Sequence, residues 1–265
     1  IEGNISNFDN LPTKKFTHMI HAAAESTNGP KISKEDVFQQ IIIGTQNALD
    51  FAVKSEVKSF LFISSGGIYG TNSERNTPIK ETDYVGQLDP TNLTNTYSIS
   101  KLAAENLVSI YAKENKLAVK IARCFAFVGE DLPTTAHFAV GNFIEDAKRG
   151  RDIIINGNGL AFRSYLYQSE LAEWLFEILT RGKIGDVYNV GSETPYSILE
   201  IAHIVKKVIN NNINVIIKNS EDSDLKSFYV PDTSNARSKL GLNQKFDIIE
   251  SIQKTILNMK VWTLL

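Results

Sequence analysis

Internal disulfides are excluded at once, because the 265 residues contain a single cysteine, Cys124. A reducing, cytoplasmic setting is the expectation that follows. An excess of charge of one sign is also missing: 28 Lys and Arg against 30 Asp and Glu leave a net −2, so no basic footprint points to nucleic acid. No uninterrupted apolar run reaches the length of a bilayer-spanning helix, and no charged-then-apolar leader pattern opens the chain. Repeats and low-complexity tracts are absent as well. What remains is 42% hydrophobic and 22% charged, the composition of a water-soluble globular protein of one large or two modest domains.

The apolar segments alternate with helical ones. Thr17–Ala24 is a short apolar run ending in small residues, as a buried strand entering a tight loop would be. Ser33 can cap a helix with Asp36 at its third position, and Val37, Ile41, Gly44, Ala48 and Ala52 recur at helical spacing. Ser59–Ser65 reads as a second strand, followed by Gly66-Gly67, where the backbone turns sharply or approaches a ligand. A helix carrying Tyr97 then uses Leu102, Leu107 and Ile110 as its apolar positions, and Val119–Phe125 is a third strand. Alternation of this kind predicts a parallel sheet with helices on both faces. Beyond about residue 130 the elements are shorter: a helix from Phe143, a strand from Asp152 into an Asn-Gly turn, a helix over Leu171–Leu179 and a strand over Asp186–Gly191. Ser197 and Glu200 form a capping box before a last amphipathic helix.

Tyr97 and Lys101 lie four apart and share one helix face. An ammonium near a phenol favours the phenolate. A free phenol titrates near ~10, so proton shuttling near neutrality needs a drop of roughly 3 pH units, about 4 kcal/mol. The plain alternative is a tyrosine at the core edge beside a solvated lysine.

Five segments together resemble the extended short-chain dehydrogenase/reductases, the NAD-dependent epimerases and dehydratases of nucleotide sugars. His21-Ala22-Ala23-Ala24-Glu25-Ser26 resembles the turn beside their cofactor, and Ser64-Ser65-Gly66-Gly67-Ile68-Tyr69-Gly70 their catalytic-serine loop. Tyr97 and Lys101 match their Tyr-x-x-x-Lys pair. Arg123–Gly129 is similar to a strand end in the family, and Gly157–Tyr167 to a segment whose arginine holds a nucleotide-sugar phosphate. The resemblance implies an α/β fold with a Rossmann-type doubly wound parallel sheet. It places a dinucleotide-binding domain at 1–130 and a smaller mixed α/β nucleotide-sugar lobe at 131–265, with the chain crossing back between them. It implies catalysis by Ser65, Tyr97 and Lys101. Cofactor contacts are implied at His21, Ala22, Ala23, Ala24, Ser64, Tyr97, Lys101 and Phe125, and substrate contacts at Ser26, Ser65, Asn142 and Arg163. In that scheme Lys101 holds the nicotinamide ribose and depresses the Tyr97 pKa, Ser65 orients the reacting hydroxyl, and Arg163 grips a pyrophosphate with its planar fork. NAD is the expected cofactor with NADP left open, no metal is implied, and a homodimer through a four-helix bundle is the expected assembly.

Departures refine the expectation. The glycine-rich phosphate loop is absent, and Gly3-Asn4-Ile5 looks like the end of a later strand, so roughly 50–60 residues of such a fold are expected ahead of Ile1. The acid pair that follows the catalytic serine or threonine in the 4,6-dehydratases is replaced by Gly66 and Gly67. That ranks a C4 epimerase or 4-keto reductase, serving cell-surface polysaccharide, above a dehydratase or decarboxylase. Ala126 and Ile41 replace polar residues of the family, which keeps a non-catalytic nucleotide-sugar-binding relative as the rival.

Overall fold

Four of the short β-rich runs become strands of one parallel sheet, the shorter ones pair in three small sheets, and the amphipathic segments become the helices. In the computed structural model, residues 4–6, 15–24, 32–70, 75–85, 88–132, 138–218 and 227–259 are described. In chain order the elements are β1 His18–His21, α1 Lys34–Lys54, β2 Ser59–Ser65, α2 Thr96–Glu114, β3 Val119–Cys124 and β4 Phe127–Val128. Then come α3 Ala139–Lys148, β5 Ile153–Ile155, β6 Phe162–Arg163, β7 Leu166–Tyr167, α4 Gln168–Arg181 and β8 Val187–Val190. The chain continues through β9 Tyr196–Ser197, α5 Ile198–Ile209, β10 Val215–Ile217, β11 Phe228–Tyr229, α6 Ser234–Leu240 and α7 Ile248–Asn258.

The main sheet runs β1-β2-β3-β8, every pair parallel. Strand β8 therefore returns from far along the chain to lie beside β3. Phe60, Leu61, Phe62 and Ala122 are completely buried, as strands covered on both faces require. On one face α1 and α2 bury Val37, Ile41, Ala48, Leu49, Ala104 and Val108 against β2 and β3. On the other, Trp174 and Ile178 of α4 pack with Tyr188, Val190 and Leu240. A separate cluster centred on Ile144, Ile153, Ile201 and Ile252 joins α3, α5 and α7. Among the described residues no strand pairs with the outer edge of β1, where Ile20 is 41% exposed.

The predicted caps form: Ser33 accepts from the Asp36 N–H, and Ser197 with Glu200 completes its capping box. Three details differ from the sequence reading. Helix α2 turns Lys101, Ala104, Glu105 and Val108 inward, while Leu102 and Leu107 are half-buried and Ile110 is 42% exposed. Helix α3 begins at Ala139, four residues earlier than Phe143, with no side-chain cap to announce it. The Asn156-Gly157 bend closes no hairpin, because β5 pairs in parallel with β10.

Candidate active site

Parallel strands deliver their carboxyl ends to one edge of the sheet, the edge where open α/β sheets bind ligands. There β1 ends in Ala22–Ala24 and β2 in Ser65-Gly66-Gly67, while Phe125 follows β3 and Gly191 follows β8. Ser65 is the cap of a tight 3-10 turn over Gly66–Tyr69, and its Oγ accepts from the Gly67 N–H at 3.1 Å. Gly67 is needed for proximity, since a Cβ there would lie 2.6 Å from Ser98 Oγ of α2.

Tyr97 and Lys101 enter the same space from the start of α2. The Lys101 ammonium is 5.9 Å from the centre of the Tyr97 ring and 5.0 Å from that of Phe62. It donates to the Ile63 carbonyl at 2.8 Å, and burial lowers its pKa to about 8. The expected depression of Tyr97 is not found. Burial is the largest influence on that phenol, Cys124 is the next, and they push it up to about 12 against a lowering from the Ser65 hydroxyl. Lys101, engaged with Ile63, is not among the groups that lower it. Cys124 is itself buried, its thiol driven up to about 12 by that burial.

The remaining sequence-predicted residues fall into three groups. His21 is turned into the core: its Nε2 lies 3.0 Å from Thr45 Oγ1, and burial, then Lys101, lowers its pKa to about 4. Its imidazole is thus occupied and neutral. Ala22 and Ala23 are exposed, Ala24 is half-buried, and Ser64 is buried, its Oγ without a partner among the described residues. Phe125 is 4% exposed and stacks between Tyr69 and Tyr229. Ser26 lies outside the described residues.

Arg163 sits on β6, its Nη1 donating to the Phe162 and Ser227 carbonyls and to Ser227 Oγ. Burial lowers its pKa, and among the described residues no carboxylate pairs with it. A half-buried guanidinium without an anionic partner suits a phosphate. Asn142 is inside the first turns of α3 rather than capping it, and lines a cleft of about 300 Å³ with Glu145, Arg151, Asn156 and Lys218. The structure thus brings Ser65, Tyr97 and Lys101 together, while Asn142 lines a cleft of its own.

Behind the site a buried network fixes the loop after Ser65. Arg123 makes two bonds to the Glu105 carboxylate, at 3.1 and 2.8 Å, and a third to the Tyr69 hydroxyl. Tyr69 donates to Asn189, which ties β8 to the Ile79 and Asp232 carbonyls. Sequence reading found Arg123 but not its partners. It also missed Tyr229, whose hydroxyl lies beside Gly66; the one sequence clue was the glycine that makes room for it.

A model of the NAD dependent epimerase/dehydratase family matches residues 2–191. UDP-glucuronic acid decarboxylase 1 of Arabidopsis thaliana is 30% identical over 216 residues, covering 81% of this chain and 48% of the relative. The dTDP-D-glucose 4,6-dehydratase of Bos taurus is 28% identical over 267 residues, covering 97% of this chain and 72% of the relative. The chain thus spans about half the length of the decarboxylase. In fold it is similar to UDP-glucose 4-epimerase of Thermotoga maritima solved with UDP-glucose, at a TM-score of 0.80 and 23% identity over 90% of this chain and 75% of the other.

Proposed function

The chain belongs to the NAD dependent epimerase/dehydratase family, and on that premise we propose that it moves a hydride at C4 of a nucleotide-diphospho-hexose, as a 4-epimerase or 4-keto reductase. The observation that carries this reading is the meeting of Ser65, Tyr97 and Lys101 at one strand end beside two glycines. Tyr97 takes the proton from the C4 hydroxyl or returns it to the C4 oxygen. Ser65 holds that same oxygen, fixing its orientation for transfer. Arg163 grips the diphosphate, while Asn142 stays in its separate cleft on α3. We assign the dinucleotide lobe to 1–130 and the sugar lobe to 131–265, with the chain crossing back so that β8, α4 and α6 complete the first lobe.

The residues fit the nicotinamide end of a dinucleotide. Among the described residues the buried Lys101 ammonium bonds the Ile63 carbonyl alone, and the buried Ser64 hydroxyl has no partner. Ala22 and Ala23 leave the loop at the end of β1 open to close approach. NAD, or NADP in its place, supplies the hydride acceptor and donor when bound.

A 4,6-dehydratase or decarboxylase is the second reading, favoured by the likeness to those relatives. Elimination of water needs an acid or base beside the sugar. At position 66 the space for one is taken by Phe125 and Tyr229, and at position 67 by Ser98. The outer faces of α1 and α2 leave Phe38, Ile43 and Ile110 exposed at 42%, 40% and 42%, which supports pairing of these helices with a second copy. No helix among the described residues is long and apolar enough to cross a membrane.

The deciding experiment incubates the full-length protein with UDP-, dTDP-, CDP- and GDP-sugars, with and without NADH or NADPH. Products are read by mass and by proton NMR at C4. Isomerisation without net cofactor use establishes the epimerase, and gain of a hydrogen pair with cofactor consumption the reductase. Loss of water overturns the argument from the glycines, and loss of carbon dioxide identifies a decarboxylase. Tyr97→Phe should cut turnover by roughly 10²- to 10⁴-fold, the contribution of a positioned general acid–base, with ligand still bound. Binding without turnover in the wild type would identify a non-catalytic relative.

A further inference from the structure

Gly66 is glycine for reasons of space. Its backbone is outside the left-handed region, yet a Cβ would lie 2.8 Å from the Tyr229 hydroxyl and 2.8 Å from the rim of the Phe125 ring. Tyr229 is held from three sides. Its strand β11 pairs with β6 so that Tyr229 lies opposite Arg163, the Arg163 guanidinium sits 5.6 Å from its ring centre, and Phe125 packs at 4.6 Å between centroids. A phenol fixed in this way beside the residue after Ser65 belongs to the reaction centre.

The Ser65 hydroxyl adjoins two phenols: Tyr229 crowds the neighbouring Gly66, and Ser65 lowers the pKa of both Tyr97 and Tyr229. A hydroxyl has one proton to give and two sites to accept with. The Gly67 N–H fills one acceptor site. Burial raises the Tyr229 phenol strongly, so it stays protonated throughout any working range and is available only as a donor or a neutral acceptor.

We propose that Tyr229 is a positioning residue of the reaction centre: its O–H donates into the second acceptor site of Ser65 Oγ, turning the single Ser65 proton toward Tyr97 and the reacting sugar oxygen. The inference rests on the proposed C4 chemistry. It gives Gly66 a purpose, since any larger residue there would evict the phenol. It also makes the Ser65 proton a standing stabiliser of the Tyr97 phenolate, a function Lys101 does not perform in this structure.

The test uses the full-length protein and whichever nucleotide sugar the wild type turns over. Tyr229→Phe keeps the ring and removes the donor. It should lower kcat about tenfold, the worth of one hydrogen bond, leave KM within about twofold, and move the Tyr97-controlled limb of the kcat–pH profile to higher pH. In a Ser65→Ala background the same change should have no further effect, because it acts through Ser65. Should Tyr229→Phe fail to fold, Gly66→Ala displaces the hydroxyl while leaving the residue in place, and should move the same limb. An active wild type with an unchanged profile in the variant, or losses that simply add in the double variant, would overturn the inference alone. A wild type that neither binds nor turns over any nucleotide sugar would remove the proposed function and this inference with it.

Discussion

The Lys101 ammonium, 3% exposed, has its pKa lowered from 10.5 to about 8 by burial, against raising from Cys124 and then Glu105. Between those two values the unfolded chain holds a proton that the folded chain has released, so stability rises as pH climbs through that window. Below about 8 the folded state carries the full cost, about 3 kcal/mol. Lys101→Met should therefore flatten the rise in denaturant midpoint between pH 8 and 10.5, raise the midpoint at pH 7, and abolish turnover. A variant as pH-dependent as the wild type would show that the ammonium is better solvated than its burial implies. At this scale the sequence was legible where chemistry is local: a four-residue spacing announces Tyr97 and Lys101, and Ser65 sits against its own glycines. It was silent on Tyr229, whose place depends on β11 meeting β6 and on packing against a strand more than a hundred positions earlier. It also misjudged the sign of the Tyr97 shift, because burial depth is a property of the assembled sheet.

Two of the ties between helices and the sheet can be loosened separately. Arg123 on β3 and Glu105 on α2 are both 8% exposed at their side chains; burial works against the guanidinium charge, but the Glu105 bonds outweigh it and raise its pKa. Removing one partner strands a charge, so Glu105→Ala should cost about 3–5 kcal/mol in urea unfolding. The His21–Thr45 contact links β1 to α1. With the folded pKa near 4 against 6.5 unfolded, the unfolded chain takes up a proton first as pH falls. Stability present above 6.5 is lost progressively toward 4, by about 3 kcal/mol. His21→Gln should remove that acid slope, which urea midpoints at pH 7 and pH 4.5 would reveal. Helices α1 and α5 could be read in advance because Ser33 and Ser197 mark their starts. The two-residue strands β4, β6, β7, β9 and β11 could not, since they are too short for any period to show, and α3 has no capping side chain at Phe138.

For the whole molecule, the uncovered apolar positions on α1 and α2 make the assembly testable. Phe38→Glu with Ile110→Glu should convert a dimer to a monomer in sedimentation velocity without unfolding the chain, since both positions face outward. A wild type that sediments as a monomer would refute pairing through these helices. Strand alternation made the parallel sheet legible before any coordinate. The neighbour that completes the sheet was not legible, because the Val187–Val190 run is no more apolar than the strands of the smaller lobe.

That late strand bears on biosynthesis. Synthesis at about 5–20 residues per second separates the emergence of Cys124 from that of Val187 by on the order of 3–13 s. During that interval the outer edge of β3 would have no partner, and Asn189, which anchors Tyr69 through its side chain, would not yet have emerged. A nascent chain paused between those points therefore exposes an adhesive strand edge and an unbraced serine loop. Ribosome-bound intermediates of this length are where chaperone capture should concentrate, and the reaction centre cannot reach its final form before residue 190 has left the exit tunnel.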